Sequence, residues 1–346
     1  MTTALVEHTT SFKGFDFEVS VLDLEEQVQA LEKSLLDNPS DALAAELDSL
    51  RLRLKEAHQE TYGKLLPWQR VQIARHPRRP YTLDFIDRVF TGFIEMHGDR
   101  HFADDKAIVG GPAYLDGHPV VVIGHQKGRT LQDSMARNFG MPHPEGYRKA
   151  LRLMRMAAKF GAPIITFIDT AGAYPGIGAE ERGQATAIAE NLREMSLFNV
   201  PILCCVIGEG GSGGALALGV ADRILMMENA YYSVISPEGC ASILYHDAAK
   251  APEAARALKI TAADLKDLAV IDEIIPEPLG GAHRDVDTAV AAVKESLLRN
   301  LKDVRALPPA DLLQKRYEKF RAIGRFSNND KGRGPALRKK NTKPTE

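Results

Sequence analysis

Five glycines fall within seven residues at Gly208-Glu209-Gly210-Gly211-Ser212-Gly213-Gly214, between the apolar run Pro201 to Ile207 and the small apolar stretch Ala215 to Val220. The pattern predicts a buried strand, a glycine turn and a tight helix start. Backbone N–H groups in the first turn of a helix have no intrahelical acceptor and face the positive end of its dipole, so an anion or a developing oxyanion is stabilised there. Glycine lets such an atom come close to bare backbone. The plainer alternative is a helix cap or packing turn, but five glycines give up more chain stiffness than a turn requires.

A second small-residue loop follows another apolar run about forty residues earlier, at Phe167-Ile168-Asp169-Thr170-Ala171-Gly172-Ala173-Tyr174-Pro175-Gly176. Two such loops on neighbouring strands would supply one N–H each to a shared oxyanion hole, where losing a single donor costs about a hundred- to a thousand-fold in rate. Read by itself, the second segment is equally a plain β–α loop. Lys127 and Arg129 follow a third apolar run, Val120 to Ile123, and a β–α loop there would carry them towards the same sheet edge. They are either ligands for a carboxylate or a phosphate, or a solvated charge cluster.

Other chemistries find little support. Cys204, Cys205 and Cys240 form no CxxC or Cys/His pattern, so no metal ligand is assigned in this chain. Lone histidines such as His125 and His246 have no ligand partner nearby in sequence. A formal net charge of -2 gives no global electrostatic case for nucleic acid. No run reaches membrane-spanning length and no leader pattern precedes the chain, which points to a soluble cytoplasmic protein with reduced, buried thiols.

The elements that must position these loops read as an α/β protein. Val21, Leu24, Val28, Leu31 and Leu35 recur at helical spacing, Asp37-Asn38-Pro39-Ser40 interrupts them, and Leu43, Leu47, Leu50, Leu54 and Ala57 resume the pattern. This predicts a helical hairpin with an apolar stripe that packs either on its own domain or on a partner subunit. His76-Pro77-Arg78-Arg79-Pro80 predicts an extended link, placing residues 1–75 in an N-terminal hairpin region and residues 76–326 in the main domain. Strands are expected over Val120 to Ile123, Ile164 to Ile168, Ile202 to Ile207, Ile224 to Met227 and Tyr231 to Ile235, alternating with helices. Ser236-Pro237-Glu238 is a helix-entry signature. Residues 327–346, lysine-rich and poor in apolar side chains, are expected to form a disordered tail.

The runs GHQKGR (Gly124 to Arg129), NFGMPHPEGYRKALRLM (Asn138 to Met154) and SVISPEGCASIL (Ser233 to Leu244), together with both glycine-rich loops, resemble the acetyl-CoA carboxylase carboxyltransferase α-subunit family of bacteria and plastids. The resemblance covers roughly Lys64 to Arg325 with the motifs in order. It implies a crotonase-like fold (the ClpP/crotonase type) in which repeated ββα units build two roughly perpendicular sheets, with an N-terminal helical hairpin and a helical C-terminal region. It implies transfer of a carboxyl group from carboxybiotin, carried on a biotin carrier protein as cosubstrate, to acetyl-CoA, giving malonyl-CoA for fatty-acid synthesis. It also implies an α2β2 assembly with a carboxyltransferase β subunit, which would hold the acetyl-CoA half and a zinc site, within an ATP-binding complex that includes biotin carboxylase. No cofactor is implied for this chain itself.

Carried over residue by residue, the oxyanion donors on the biotin side fall on Gly213 and Gly214. Lys127 and Arg129 would then face the carboxylate of carboxybiotin or a CoA phosphate. The family usually has proline where this chain has Ala171, and proline has no N–H, so the second loop's donor is placed at Gly172 or Ala173. Two other functions remain open on the residues. A stand-alone enoyl-CoA hydratase or isomerase needs a second carboxylate, yet one helical turn past the glycines stand Leu216 and Ala217, leaving Glu238 without a partner. A serine peptidase with Ser212 as nucleophile needs a histidine or lysine base that the local sequence does not identify.

Overall fold

A computed structural model of the chain describes residue 12 and residues 14–324, so the expected tail at 327–346 lies outside the described residues. The N-terminal stripes form helices α1 (Val19–Asp37) and α2 (Asp41–Tyr62), broken at Asn38 to Ser40 as the proline there requires. Their apolar stripes face each other: Val28, Leu47 and Leu50 are buried among Leu24, Leu31, Leu35 and Leu54. At its base the hairpin packs Val21 and Tyr62 against Ile73, and Arg284 ties it to the body by bonding Glu25 at 2.5 Å and the Tyr62 hydroxyl at 2.6 Å. The stripe is thus largely satisfied within the chain.

Helix α3 (Pro67–Ala74) buries Val71 and Ala74 against Tyr231, Ala255 and Ile260 of the main body. The segment read as an extended link, His76 to Pro80, is instead a turn packed on the body, with the Arg79 N–H donating to the His76 carbonyl at 2.9 Å. His76 stacks on His283 with ring centroids 3.7 Å apart. Arg79 is fully buried, donating from Nε to the Ile207 carbonyl at 2.7 Å and gripping Glu277 with both terminal nitrogens at 2.9 and 2.6 Å. Helix α4 (Thr82–Val89) comes next.

Among the described residues seven strands form one hydrogen-bonded sheet: β1 (Ile108–Leu115), β2 (His118–His125), β3 (Ile164–Thr170), β4 (Ile202–Gly211), β5 (Arg223–Met227), β6 (Tyr231–Ser233) and β7 (Glu273–Ile275). The order is β1-β2-β3-β4-β5-β7, with β1 antiparallel to β2 and every later pair parallel. Instead of two separate sheets there is one network with a branch. β5 pairs β4 only over Leu203 to Val206, and β6 takes over at Glu209 to Gly211. Every residue of β3 and β4 is buried, which is why both read as unbroken apolar runs rather than as alternation.

Helices cover the sheet: α5 (Leu131–Ala136), α6 (Pro144–Phe160), α7 (Ile177–Glu181), α8 (Gln184–Leu197), α9 (Ser212–Leu216), α10 (Pro237–Tyr245), α11 (Ala251–Leu258), α12 (Ala262–Asp267), α13 (Val286–Arg305) and α14 (Pro309–Ala322). Ser236 caps α10 by accepting the Gly239 N–H at 3.1 Å, with Pro237 in the first turn, as the helix-entry signature requires. Arg316 of α14 is buried and bonds both Asp222 oxygens and the carbonyls of Met195, Phe198 and Val200, closing the C-terminal helices onto the core. No described helix is long and apolar enough to cross a membrane.

Candidate active site

The parallel strands end on one side of the sheet, where open α/β folds bind ligands. A cavity of about 790 Å³ lies there, bounded by the segment after β3 (Ala171 to Pro175), the start of α9 (Ser212 and Gly213), Val234 to Ser236 after β6, and α8 residues including Gln184 and Ile188. Both glycine-rich loops thus reach one site.

The expected glycine turn is sharper than the sequence suggests. β4 continues as strand through Gly208 to Gly211, and the turn into the helix is made at one residue, Ser212, which sits at φ 52. Such a left-handed conformation costs about 1–2 kcal/mol for a residue bearing a Cβ. Helix α9 begins there, and no side chain caps it. Because α9 starts at Ser212, the N–H groups of Ser212, Gly213 and Gly214 fall in its first turn, ahead of any i−4 acceptor within the helix. Gly213 lines the cavity, whereas Gly214 is buried behind it. A Cβ on Gly214 would stand 2.5 Å from the Ala173 nitrogen, so the backbone of the second loop lies directly against α9. The two loops meet.

Gly172 does not keep a free donor. Its N–H bonds the Thr170 hydroxyl oxygen at 3.0 Å, and that hydroxyl donates to the Gly172 carbonyl at 2.8 Å. The neighbouring Ala173 N–H is the donor from this loop that adjoins Gly214. Around it the loop is fixed from outside: Tyr174 N–H donates to the Pro142 carbonyl at 3.0 Å, and the Gln184 amide reaches the carbonyls of Pro142 and Tyr174 at 2.9 and 3.0 Å. The His143 ring stacks on Tyr174 at 4.2 Å.

Lys127 and Arg129 lie near these strand ends but do not line the cavity. Lys127 bonds Asp169 Oδ1 and Glu209 Oε1, each at 2.7 Å. Arg129 pairs with Asp84, donates to the Pro77 carbonyl at 2.8 Å and lies 3.9 Å over the Tyr81 ring. Both cations are held by internal partners, because the loops after the strands bring carboxylates and a carbonyl within reach that the linear sequence keeps far apart. Burial works against ionised Glu209, yet Lys127 and Arg75 outweigh it and hold its carboxyl down to about 2. Asp169 shifts the other way: burial raises it, and it has only Lys127 as a close counter-charge.

The site offers little acid–base chemistry of its own. Glu180 is the one carboxylate among the residues lining the cavity, and no histidine or lysine lines it. Glu238, the second carboxylate a hydratase would use, is bound to Arg75 at 2.5 Å. Ser212 is exposed, and among the described residues no histidine or lysine lines the cavity with it. His125 is wholly buried, and burial drives its imidazole down to about 3. Among the described residues no group of three or more His, Cys, Asp or Glu side chains is placed to hold a metal.

A branched α/β sheet, two backbone loops converging at its strand ends, and a cavity lined by one carboxylate and no histidine or lysine are in keeping with chemistry that leans on backbone donors. The model of the acetyl co-enzyme A carboxylase carboxyltransferase-like family matches residues 14–324, and the chain belongs to that family. It is 55% identical over 312 residues to the acetyl-coenzyme A carboxylase carboxyl transferase subunit alpha of Thermus thermophilus, covering 90% of this chain and 98% of that protein. To the subunit of the same name from a Geobacillus species it is 58% identical, covering 90% and 96%. A Pseudomonas malonate decarboxylase hetero-tetramer in complex with coenzyme A contains a chain of similar fold, with a TM-score of 0.56 at 16% identity over 69% of this chain and 92% of that one.

Proposed function

We propose that this chain is the α half of a two-subunit carboxyltransferase, moving a carboxyl group from carboxybiotin on a biotin carrier protein to acetyl-CoA to give malonyl-CoA. The observation that supports the proposal is the meeting of α9 with the Ala173 loop: Gly213 and Ala173 line one cavity, and Gly214 packs against the Ala173 loop behind its wall. When the N–CO2 bond of carboxybiotin breaks, its electron pair delocalises onto the ureido oxygen. Fixed N–H donors stabilise that developing charge more than they stabilise the ground state, which lowers the barrier. The biotin nitrogen then takes a proton from the acetyl methyl group, and the resulting carbanion attacks the released CO2. That sequence needs no protein base, in keeping with a cavity lined by a single carboxylate.

The acetyl-CoA half and a zinc site belong, on this proposal, to a β subunit in an α2β2 assembly that works with biotin carboxylase in the cytoplasm. The names borne by relatives more than half identical in sequence support the subunit assignment. The test is to mix the purified chain with its β partner and follow malonyl-CoA-dependent carboxylation of free biotin, the reverse reaction. Gly213→Val and Gly214→Val should each abolish most of the rate; an unchanged rate in either would remove the oxyanion assignment.

A further inference from the structure

Strands β3 and β4 lose register beside the site. Ile168 pairs with Val206 and Thr170 pairs with Gly210, so the single residue Asp169 stands opposite three residues of β4, 207–209. Bulges of this kind bend a strand and re-aim the backbone beyond it. The backbone beyond this one is Gly210 to Gly214. The gap in the ladder is filled by a side chain: Asp169 Oδ1 accepts the Glu209 N–H at 2.9 Å. The same oxygen accepts Lys127 Nζ, which also bonds Glu209 Oε1. Glu209 Oε2 accepts Arg75 Nε at 2.7 Å and the Tyr231 hydroxyl at 2.6 Å.

The packing leaves this arrangement no slack. A Cβ on Gly208 would stand 2.5 Å from Asp169 Oδ1. One on Gly140 would stand 2.7 Å from Lys127 Cγ, where Asn138, Phe139 and Gly140, all at positive φ, fold over the lysine stem. Lys127 comes from the loop after β2, Asp169 from the end of β3 and Glu209 from the end of β4, so one ammonium joins the ends of three adjacent strands. Three residues beyond Asp169 and Glu209 the two donor loops begin.

We propose that Lys127 and Glu209 are positioning residues for the carboxyl transfer: their ion pair, together with Asp169, locks the β4 bulge and so sets the angle at which the Gly213 and Gly214 N–H groups meet the Ala173 loop. The proposal rests on the function proposed above. Removing the ammonium leaves the Asp169 and Glu209 carboxylates buried side by side, with Arg75 as the remaining close cation on Glu209, and their repulsion opens the bulge. A donor displaced by about 1 Å loses about 100-fold in rate. Substrate contacts away from the ureido oxygen are untouched.

The test uses the reconstituted complex of this chain with its β partner, comparing wild type with Lys127→Met, Lys127→Arg and Glu209→Gln in malonyl-CoA-dependent biotin carboxylation. K127M should lower kcat about 100-fold while KM for malonyl-CoA stays within about twofold, and K127R should recover at least about tenfold of that loss. E209Q keeps the Asp169 bond to its backbone and almost the same volume. It should lower kcat about tenfold with the same constancy of KM, and it serves as the test if K127M does not assemble. An active wild type whose assembled K127M or E209Q complex keeps its kcat, or a K127R no better than K127M, overturns this inference alone. A wild-type complex with no activity overturns the functional proposal and this one with it.

Discussion

Replacing Gly214 by alanine forces apart the two loops that meet at the cavity. The new Cβ would stand 2.5 Å from both the Ala173 nitrogen and the Gly172 carbonyl carbon, about 0.9 Å short of the 3.4 Å at which ordinary contact begins, and both obstacles are backbone. No flexible side chain can turn aside, so the Gly172–Ala173 segment must retreat by roughly that distance. A displacement of about 1 Å at a reacting centre costs about 100-fold in rate, and overpacking of this kind costs about 1–3 kcal/mol in stability. Gly213→Ala is the matched control, because its Cβ would meet Ile188 Cδ1 at 3.6 Å, an ordinary contact. It leaves the loop in place and adds only a methyl group at the cavity wall. Both variants are assayed with the β partner by malonyl-CoA-dependent biotin carboxylation, and their thermal unfolding is recorded in parallel. G214A should lose about 100-fold in kcat and several degrees in Tm, whereas G213A should hold its Tm. A G214A complex with kcat within about threefold of wild type would refute the convergence of the two loops as the source of rate.

Three further outcomes are expected. Arg79→Met leaves Glu277 buried without its counter-ion and should cost about 3–5 kcal/mol in urea unfolding, with Arg79→Met/Glu277→Gln recovering part of the loss; an R79M cost below about 1 kcal/mol would contradict the buried pair. Burial, aided for His76 and His283 by the neighbouring arginines, depresses His76 and His125 to about 3 and His283 to about 2. Below pH 6.5 the unfolded chain binds protons at these rings that the native state refuses. Stability from this source is therefore complete above pH 6.5 and falls towards pH 3, by about 2 kcal/mol per ring at pH 5. Equal urea midpoints at pH 7.5 and pH 5 would exclude it. Ser212→Gly removes a left-handed side-chain-bearing residue and should raise stability by about 1 kcal/mol while the complex keeps its activity; loss of activity would reopen a role for the hydroxyl.

The sequence made the site legible where backbone chemistry left a compositional mark. Gly208 to Gly214 and the Asp169 to Gly176 loop stand out because close approach of bare backbone demands small residues, and both border the cavity region. The buried strands were visible as apolar runs. Strand β1 was not, because Gly110, Gly111 and Pro112 interrupt its pattern: a Cβ on Gly111 would stand 1.9 Å from the Ile94 carbonyl oxygen, which packs against it. Its hairpin with β2 did carry a signal, Asp116-Gly117, both at positive φ. Helix α3 and the link after it hid their role because the partners of Arg75 and Arg79, Glu209 and Glu277, lie more than a hundred residues away. Lys127 was visible as a cation at a strand end, but sequence separation concealed that Asp169 and Glu209 consume its charge. A glutamate inside a strand otherwise made of apolar residues and glycine was the available hint, since such a group must find a partner when buried.

Ownership of the active centre is tested most directly by measuring malonyl-CoA-dependent biotin carboxylation for this chain alone, for its β partner alone and for their mixture. Activity should appear in the mixture only and should rise with the β partner until the two chains are equimolar. Turnover by this chain alone, or none in a mixture that forms a stable complex, would contradict a site whose N–H donors on Gly213, Gly214 and Ala173 are one half of a shared centre.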